Sequence, residues 1–336
     1  MAFGTGLFGL PLVPGSASVP RTSLTELKVK DAVEAVVTGG RVWVLARSQT
    51  SASGYLLYQG RVGQNAVEPA IFPPRPLGFL RGTPSPAVLF QGASSLEVTT
   101  FQSGRVGGST TTLPTNCLVS VPKSVVYGGS TWLLCQNSKV MALSRGRTRR
   151  AVEADGLVSE LLVVRSGVWA IERSGASLRI VRLDRPRQRP ITLPATSALV
   201  DSDAQRDTAI VLFTRQDGTE WIASVDLRSL RLRVKPLGAS RLGPVFFSRG
   251  VLVGDQFWLA DESNSTIVRF STGGLRELGR IVLKPRGLAS GPPAISLRLE
   301  SDGESVVLVL QRVGSSTPVV LEVAPRSLPN EATLRY

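Results

Sequence analysis

The sequence contains no histidine in its 336 residues. That removes Ser-His-Asp and Cys-His nucleophile pairs, imidazole metal sites and the side chain that most often moves protons near neutral pH. Cysteine is nearly absent, with only Cys117 and Cys135. Two are too few for a disulfide framework or a zinc cluster; they read as two small buried thiols, able to pair if adjacent strands carry them. Lysine is also scarce, at 6 against 33 arginines. No segment longer than a turn or two has a helical period. A membrane helix needs about 20 mostly apolar residues, and no span of that kind is expected.

What is present is a large apolar fraction, 42%, and a formal net charge of +14. The charge is uneven: residues 1–150 hold 15 basic and 5 acidic groups, and the remainder 24 and 20. Arginine forks bind carboxylate and phosphate in two-point contacts, so an anionic partner fits this balance.

The first twenty residues, MAFGTGLFGLPLVPGSASVP, carry no charged side chain. Gly4, Gly6, Gly9, Pro11, Pro14 and Gly15 prevent a stable helix. The stretch reads as an extended apolar arm, with Phe3, Leu7, Phe8, Leu10, Leu12 and Val13 as its docking side chains. The alternative is a signal peptide with GLFGLPLV as its apolar region and SAS as its cleavage site, but the basic leading region is missing. In the next segment Leu27 and Val29 alternate with Lys28 and Lys30, which predicts a strand.

From there one unit recurs. RVWVLARS, PAVLFQGAS, TWLLCQNSKVMALS, GVWAIERSGASLRIVRLD, TAIVLFTRQDGTEWIASVDL, QFWLADESNSTIVRF and SVVLVLQRVGSSTPVVLEV are its seven copies. Trp43, Trp132, Trp169 and Trp258 fall at one place in it, with spacings of 89, 37 and 89 residues. Two units of about 44 account for each 89. Leu89 and Val211 stand near the equivalent place in the skipped units, and Val307 continues the series. A period of 40–50 residues with several short strands per unit predicts a β-propeller. Within residues 242–285, GPVFFSRGVLVG, QFWLA, TIVRF and LGRIVL give four strands separated by Gly, Ser, Asn and Asp, the residues that tight turns use. Asp217-Gly218 predicts a type I′ hairpin.

The physical logic is burial. One four-stranded sheet cannot bury both faces, but sheets stacked radially cover one another. The nearly continuous apolar runs VWVLA and VVLVL suit a strand covered on both sides. The expected architecture is all-β: an arm with a possible ring-closing strand over residues 1–29, and a seven-bladed propeller of four-stranded antiparallel blades over 30–336. ELKVK is expected to pair with the last blade, with ATLRY at the C-terminus supplying or sharing that edge.

One blade resembles a known repeat. Phe257, Trp258, Ala260, Asp261, Asn264, Ile267, Val268 and Phe270 are similar to the core of NHL or YVTN-type propeller repeats. The resemblance implies the fold; fold alone does not set function. Some propellers of this class are calcium-dependent hydrolases with the metal in the central channel, held by Asn, Asp and Glu from several blades. Only five asparagines are present, Asn65, Asn116, Asn137, Asn264 and Asn330, and they do not assemble into one ring. A lactonase-like hydrolase is therefore the least favoured function.

Other candidates are simpler. Asp201, Asp203 and Asp207 have calcium-like spacing but lack the glycine and terminal glutamate of an EF-hand loop; a solvated turn is expected. Arg145, Arg147, Arg149 and Arg150 form the densest basic cluster, and Arg182, Arg185, Arg187 and Arg189 form a second. Both lie near a third-to-fourth strand connection of adjacent units, so they are candidates for anion or nucleic-acid contact from one side of the ring. No catalytic, cofactor or metal residue is assigned. The sequence points to a non-enzymatic binding and assembly module, most concretely a phage virion component of tail or collar. Its partners would be other subunits, with diffuse attraction to nucleic acid or an acidic protein. An exported propeller that binds a cell-surface protein or glycan is the alternative.

Overall fold

The computed structural model describes residues 24–25, 32–38, 41–49, 54–61, 68–71, 76–80, 83, 85–91, 95–101, 108–113, 125–135, 139–144, 147–153, 155–194, 196–237, 247–262, 264–284, 295–301, 303, 306–312, 319–323 and 328–335. These residues form strands, turns and bends, without helix. They assemble into seven sheets. The first holds Ala32–Thr38, Arg41–Arg47, Tyr55–Arg61 and Glu68–Ile71. The second holds Pro76–Phe79, Ala87–Gln91, Leu96–Phe101 and Gly108–Leu113. The third holds Val125–Tyr127, Ser130–Leu134, Lys139–Ser144 and Arg147–Glu153. The fourth holds Leu157–Val164, Gly167–Ser174, Ser177–Arg182 and Ile191–Thr192. The fifth holds Thr196–Gln205, Thr208–Arg215, Glu220–Asp226 and Arg231–Pro236. The sixth holds Phe247–Val253, Gln256–Asp261, Thr266–Ser271 and Glu277–Lys284. The seventh holds Ile295–Ser301, Val306–Arg312 and Val319–Val323, and takes its fourth strand from Leu24–Thr25.

Buried side chains gather in clusters that each join two consecutive sheets. Trp43 and Leu45 meet Phe79 and Phe90 between the first and second sheets. The series continues around the molecule until Val307 and Val309 of the seventh meet Ala35, Val42 and Val44 of the first. The sheets thus form a closed ring, and each is covered on both faces. This explains the apolar runs: alternate residues of one strand enter opposite clusters, as Trp258 does between the sixth and seventh sheets and Phe257 between the fifth and sixth.

The four repeated tryptophans occupy one register. Val36, Val125, Leu162 and Val251 of the first strands pair with Trp43, Trp132, Trp169 and Trp258 of the second. Each tryptophan faces the following sheet. Leu89 does the same. In the fifth sheet the equivalent is Ile210, because Val211 faces backwards onto the fourth. In the fourth and sixth sheets the tryptophan lies opposite an arginine on the third strand. Arg182 sits 5.5 Å from the Trp169 ring and Arg269 5.9 Å from that of Trp258, within cation–π range.

Leu24–Thr25 pairs antiparallel with the third strand of the last sheet, Leu24 opposite Leu321; ELKVK, the segment expected there, lies outside the described residues. The C-terminal expectation is corrected. Glu331–Arg335 does not join the seventh sheet. It runs parallel to Glu277–Lys284 as a fifth strand on the outer edge of the sixth. The edge of a sheet has unpaired backbone groups that accept any matching strand, and the chain end reaches this one. Arg269, buried, holds the approach by donating from Nη2 to the carbonyls of Pro329 and Asn330.

Two further expectations change. At Asp217-Gly218 only Gly218 has positive φ, whereas a type I′ turn needs it at both central residues. The connection is a wider loop, with Arg215 and Thr219 as its closing pair and Asp217 Oδ1 accepting from Thr219 N at 2.9 Å and Thr219 Oγ1 at 2.6 Å. Cys135 is not a thiol but disulfide-bonded; Cys117 lies outside the described residues.

The turn after the third strand of the fifth sheet gives a pH prediction. Asp226 Oδ1 accepts from Arg228 N at 2.9 Å and Ser229 N at 3.0 Å. The Ser229 backbone hydrogen bond, above all, holds this carboxyl below the usual aspartate range. A depressed folded pKa means the turn gains its full support above the unfolded value, about 3.9, and loses it as pH falls through the lower folded value. The side-chain carboxyl of Asp226, followed by carbon NMR, is expected to titrate below that unfolded value; a midpoint at or above it would contradict this reading.

Candidate functional site

The first strand of each sheet is an edge strand turned toward the ring axis, and its unpaired backbone groups need partners. Carboxylates supply several of them across sheet boundaries. Glu34 Oε2 accepts from Phe79 N at 3.1 Å. Asp201 Oδ2 accepts from Gly250 N at 2.8 Å, and Asp203 Oδ2 from Leu252 N at 2.7 Å. Glu262 Oε1 accepts from Leu297 N at 3.2 Å. At one end of the ring, Asp207 Oδ1 accepts from Ser166 N at 2.9 Å. The expectation of a solvated turn at Asp201 and Asp203 is therefore corrected: both lie in a first strand and fasten it to the next sheet. Among the described residues no group of three or more His, Cys, Asp or Glu side chains could hold a metal ion.

On the axis lies a cavity of about 250 Å³ to which all seven first strands contribute. Its polar lining includes Glu34, Asp201, Ser202, Asp203, Arg249 and Glu300. Glu34 and Glu300 were not singled out by sequence. Their signal was an acidic residue inside a first strand, as in AVEAVVT and ISLRLES.

The arginine clusters are placed by the strand connections. Residues 145–146 link the third and fourth strands of the third sheet, and 183–190 do so in the fourth. In an antiparallel meander this connection lies at the same end as the first-to-second turn. Ser144 Oγ accordingly donates to Gly129 O at 3.5 Å in the third sheet, and Arg182 Nη2 donates to Ser166 O in the fourth. Tyr127 Oη donates to Arg165 O at 3.1 Å, joining those ends of the two sheets. Both arginine segments thus share one end of the ring. Arg145 lies outside the described residues; Arg147, Arg149 and Arg150 open the fourth strand of the third sheet, and their side chains lie outside the description.

The second cluster divides in two. Arg182 is internal: Nε donates to Asp184 Oδ1 at 2.9 Å and Nη1 to Gln188 Oε1 at 3.1 Å. The hydrogen bond to Asp184, before all else, raises its pKa. It braces the connection. Arg185, Arg187 and Arg189 are exposed on that braced loop. The arm residues Phe3, Leu7, Phe8, Leu10, Leu12 and Val13 lie outside the described residues.

No protein-family profile and no curated protein matches this sequence. Solved structures match it throughout. Kuenenia stuttgartiensis hydrazine synthase has a TM-score of 0.62 at 11% identity, covering 93% of this chain and 99% of that one. The WD40 domain of Toxoplasma gondii coronin has a TM-score of 0.56 at 10% identity, covering 94% and 90%. The fold is a β-propeller. A further propeller likeness is BBS1N, solved in complex with ARL6DN, with a TM-score of 0.59 at 12% identity over 93% of this chain and 100% of that one. At such identities the shared feature is the ring of sheets, which hosts unrelated activities. Among the described residues of this propeller, no helix is long and apolar enough to cross a membrane.

Proposed function

We propose that this propeller is a non-enzymatic binding and assembly module, a structural part of a larger particle such as the tail or collar of a phage virion. Its repeat is read as NHL- or YVTN-like on the blade from Phe257 to Phe270. The observation that carries the binding role is the shared end of the third and fourth sheets, where Arg185, Arg187 and Arg189 stand exposed on a loop braced by Arg182. Exposed guanidinium groups on a braced loop meet phosphate or carboxylate without the added cost of ordering the loop itself. Among the described residues no base-reading element accompanies them, so the contact would be insensitive to nucleic-acid sequence.

The test is binding of duplex DNA across a salt series. Replacing Arg185, Arg187 and Arg189 together with Ala is expected to reduce the slope of log affinity against log salt by roughly 2–3, at about 0.9 per lost phosphate contact. An unchanged slope in the triple variant would remove nucleic acid as the partner of this end. For the particle role, the native assembly is purified and the chain sought in it at fixed stoichiometry. Finding it only as free monomer would end that reading.

A second reading, an exported propeller that binds a cell-surface protein or glycan, is favoured by one observation. Cys135 is disulfide-bonded, and disulfides persist mainly in oxidising compartments. A mature N-terminus starting near Val19 would decide for it.

A further inference from the structure

The fourth and fifth sheets present one joined face at the arginine-bearing end. In the fourth, the first-to-second turn at Arg165 and Ser166 lies there with the third-to-fourth connection; in the fifth, the turn at Arg206 and Asp207 lies there with residues 227–230. Hydrogen bonds tie these four segments together. Arg165 N donates to Arg206 O at 2.6 Å and Ser166 N to Asp207 Oδ1 at 2.9 Å, which links the two inner turns. Leu227 N donates to Asp207 O at 2.8 Å, and Arg182 Nη2 to Ser166 O, which links each outer connection to its inner turn.

Six arginines stand exposed on this face: Arg165 and Arg206 on the inner turns, and Arg185, Arg187, Arg189 and Arg228 on the outer connections. None of these six guanidinium groups is paired with a carboxylate among the described residues. Three aspartates, Asp184, Asp207 and Asp226, stand at the same turns and leave the face positive. A second observation is local to Arg206. Its φ is +57°, a left-handed conformation that glycine adopts freely and a long side chain resists. Such outliers gather at ligand-contacting positions.

The arrangement also selects the partner. The inner and outer rows are two strand spacings apart, about 10 Å. That lies between the widths of the minor and major grooves of a duplex, about 6 and 12 Å, so each row can meet one of the two backbones that flank a groove. A single strand has one backbone and serves one row. A protein partner would need an apolar centre to its interface, and a lipid surface an apolar side chain to take up. The large apolar side chains exposed among the described residues are Leu157, at the opposite end of the fourth sheet, and Val282, in the fourth strand of the sixth. We propose that the joined end of the fourth and fifth sheets is a two-row phosphate clamp for duplex nucleic acid. This rests on the nucleic-acid reading of the arginine-bearing end and adds Arg165, Arg206 and Arg228 to it.

The experiment measures binding of the full chain to a short DNA duplex, and to one of its strands, across a salt series. Arg165→Ala, Arg206→Gly and Arg228→Ala together are expected to cut the slope of log duplex affinity against log salt by roughly 2–3, at about 0.9 per lost phosphate contact. The duplex is expected to bind roughly tenfold tighter than the single strand at low salt. Arg206→Gly alone is expected to melt no lower than the parent, because glycine relieves the left-handed backbone, and to lose roughly 1 from the slope; it serves if the triple variant fails to fold. An unchanged slope in the Arg165, Arg206 and Arg228 variant overturns the clamp, and leaves the reading of that end standing if the Arg185, Arg187 and Arg189 variant still loses its share. A parent that binds no DNA overturns both. Equal affinity for duplex and single strand overturns the duplex assignment. Tighter binding to phosphatidylserine vesicles or to polyglutamate than to the duplex overturns nucleic acid as the partner.

Discussion

Arg179→Met is expected to lower the stability of the propeller by about 3–5 kcal/mol, the largest effect of any single side chain considered. Glu172 sits on the second strand of the fourth sheet with its side chain 2% exposed. Arg179 stands directly opposite on the third strand and donates from Nη2 to Glu172 Oε1. Asp155, the other carboxylate near Arg179, is 3.6 Å away and mostly exposed, so it adds little. Removing the guanidinium strands a carboxylate between two sheets. The double variant Glu172→Leu with Arg179→Met is expected to recover most of the loss. An apolar pair of similar volume often equals a buried ion pair, and Arg179 Nε already lacks a partner. Urea unfolding of the parent, the single and the double variants measures this. Equal midpoints for parent and Arg179→Met would show that the pair contributes nothing.

Gly279→Ala is expected to release the C-terminal strand. Gly279 has φ +150°, and an added Cβ would lie 1.7 Å from Asn330 O. Backbone cannot yield that much, so the last segment must leave. Its departure breaks the 2.7 Å bond from Arg280 N to Asn330 O and uncovers Ala332 and Leu334, both buried. It also leaves Arg269, whose pKa is already lowered by burial, without its carbonyl acceptors. Exposing the leucine alone costs about 1.5–3 kcal/mol, and the strained glycine position adds to it. Hydrogen exchange is the discriminating measurement. Amides of 331–335 are expected to lose protection in Gly279→Ala while those of Gly167–Ser174, in the fourth sheet, keep theirs. Retained protection at 331–335 would mean the clasp tolerates the methyl group. Truncation before Leu328 provides the reference state.

Much of the ring was legible in the residues. The recurrence of one tryptophan register and four apolar strands per unit, with no helical segment between them, predicts sheets that cover one another, which hides both faces of a strand such as RVWVLAR. In the sixth sheet all four expected strands were placed. The misreadings share a cause. Asp201 and Asp203 look like a polar turn because three carboxylates fall within DSDAQRD; their partners, Gly250 N and Leu252 N, lie 49 residues away and leave no local trace. Val211 and Ile210 are neighbours in a run that is apolar on both faces, so which of them faces the following sheet depends on how the strands register. Arg182 looked equivalent to Arg185, Arg187 and Arg189 in the chain, yet its connection folds back over it and turns it from a contact into a brace.

By itself the sequence determined the class of object. Strand-length apolar runs, turn residues between them and a period near 44 leave β-sheets stacked face to face, and the absence of histidine narrows the chemistry open to them. Those properties are local or periodic, and composition records them. Tertiary structure alone decided that the last strand joins the sixth sheet rather than the seventh, that two arginine-bearing segments share one end, and that acidic residues from the first, fifth and seventh sheets surround one axial hole in a basic protein. Each of these depends on where ring closure brings segments that are distant along the chain. Hydrogen bonding and charge act through space over a few ångströms, and nothing in a residue's immediate neighbours reports who will stand there.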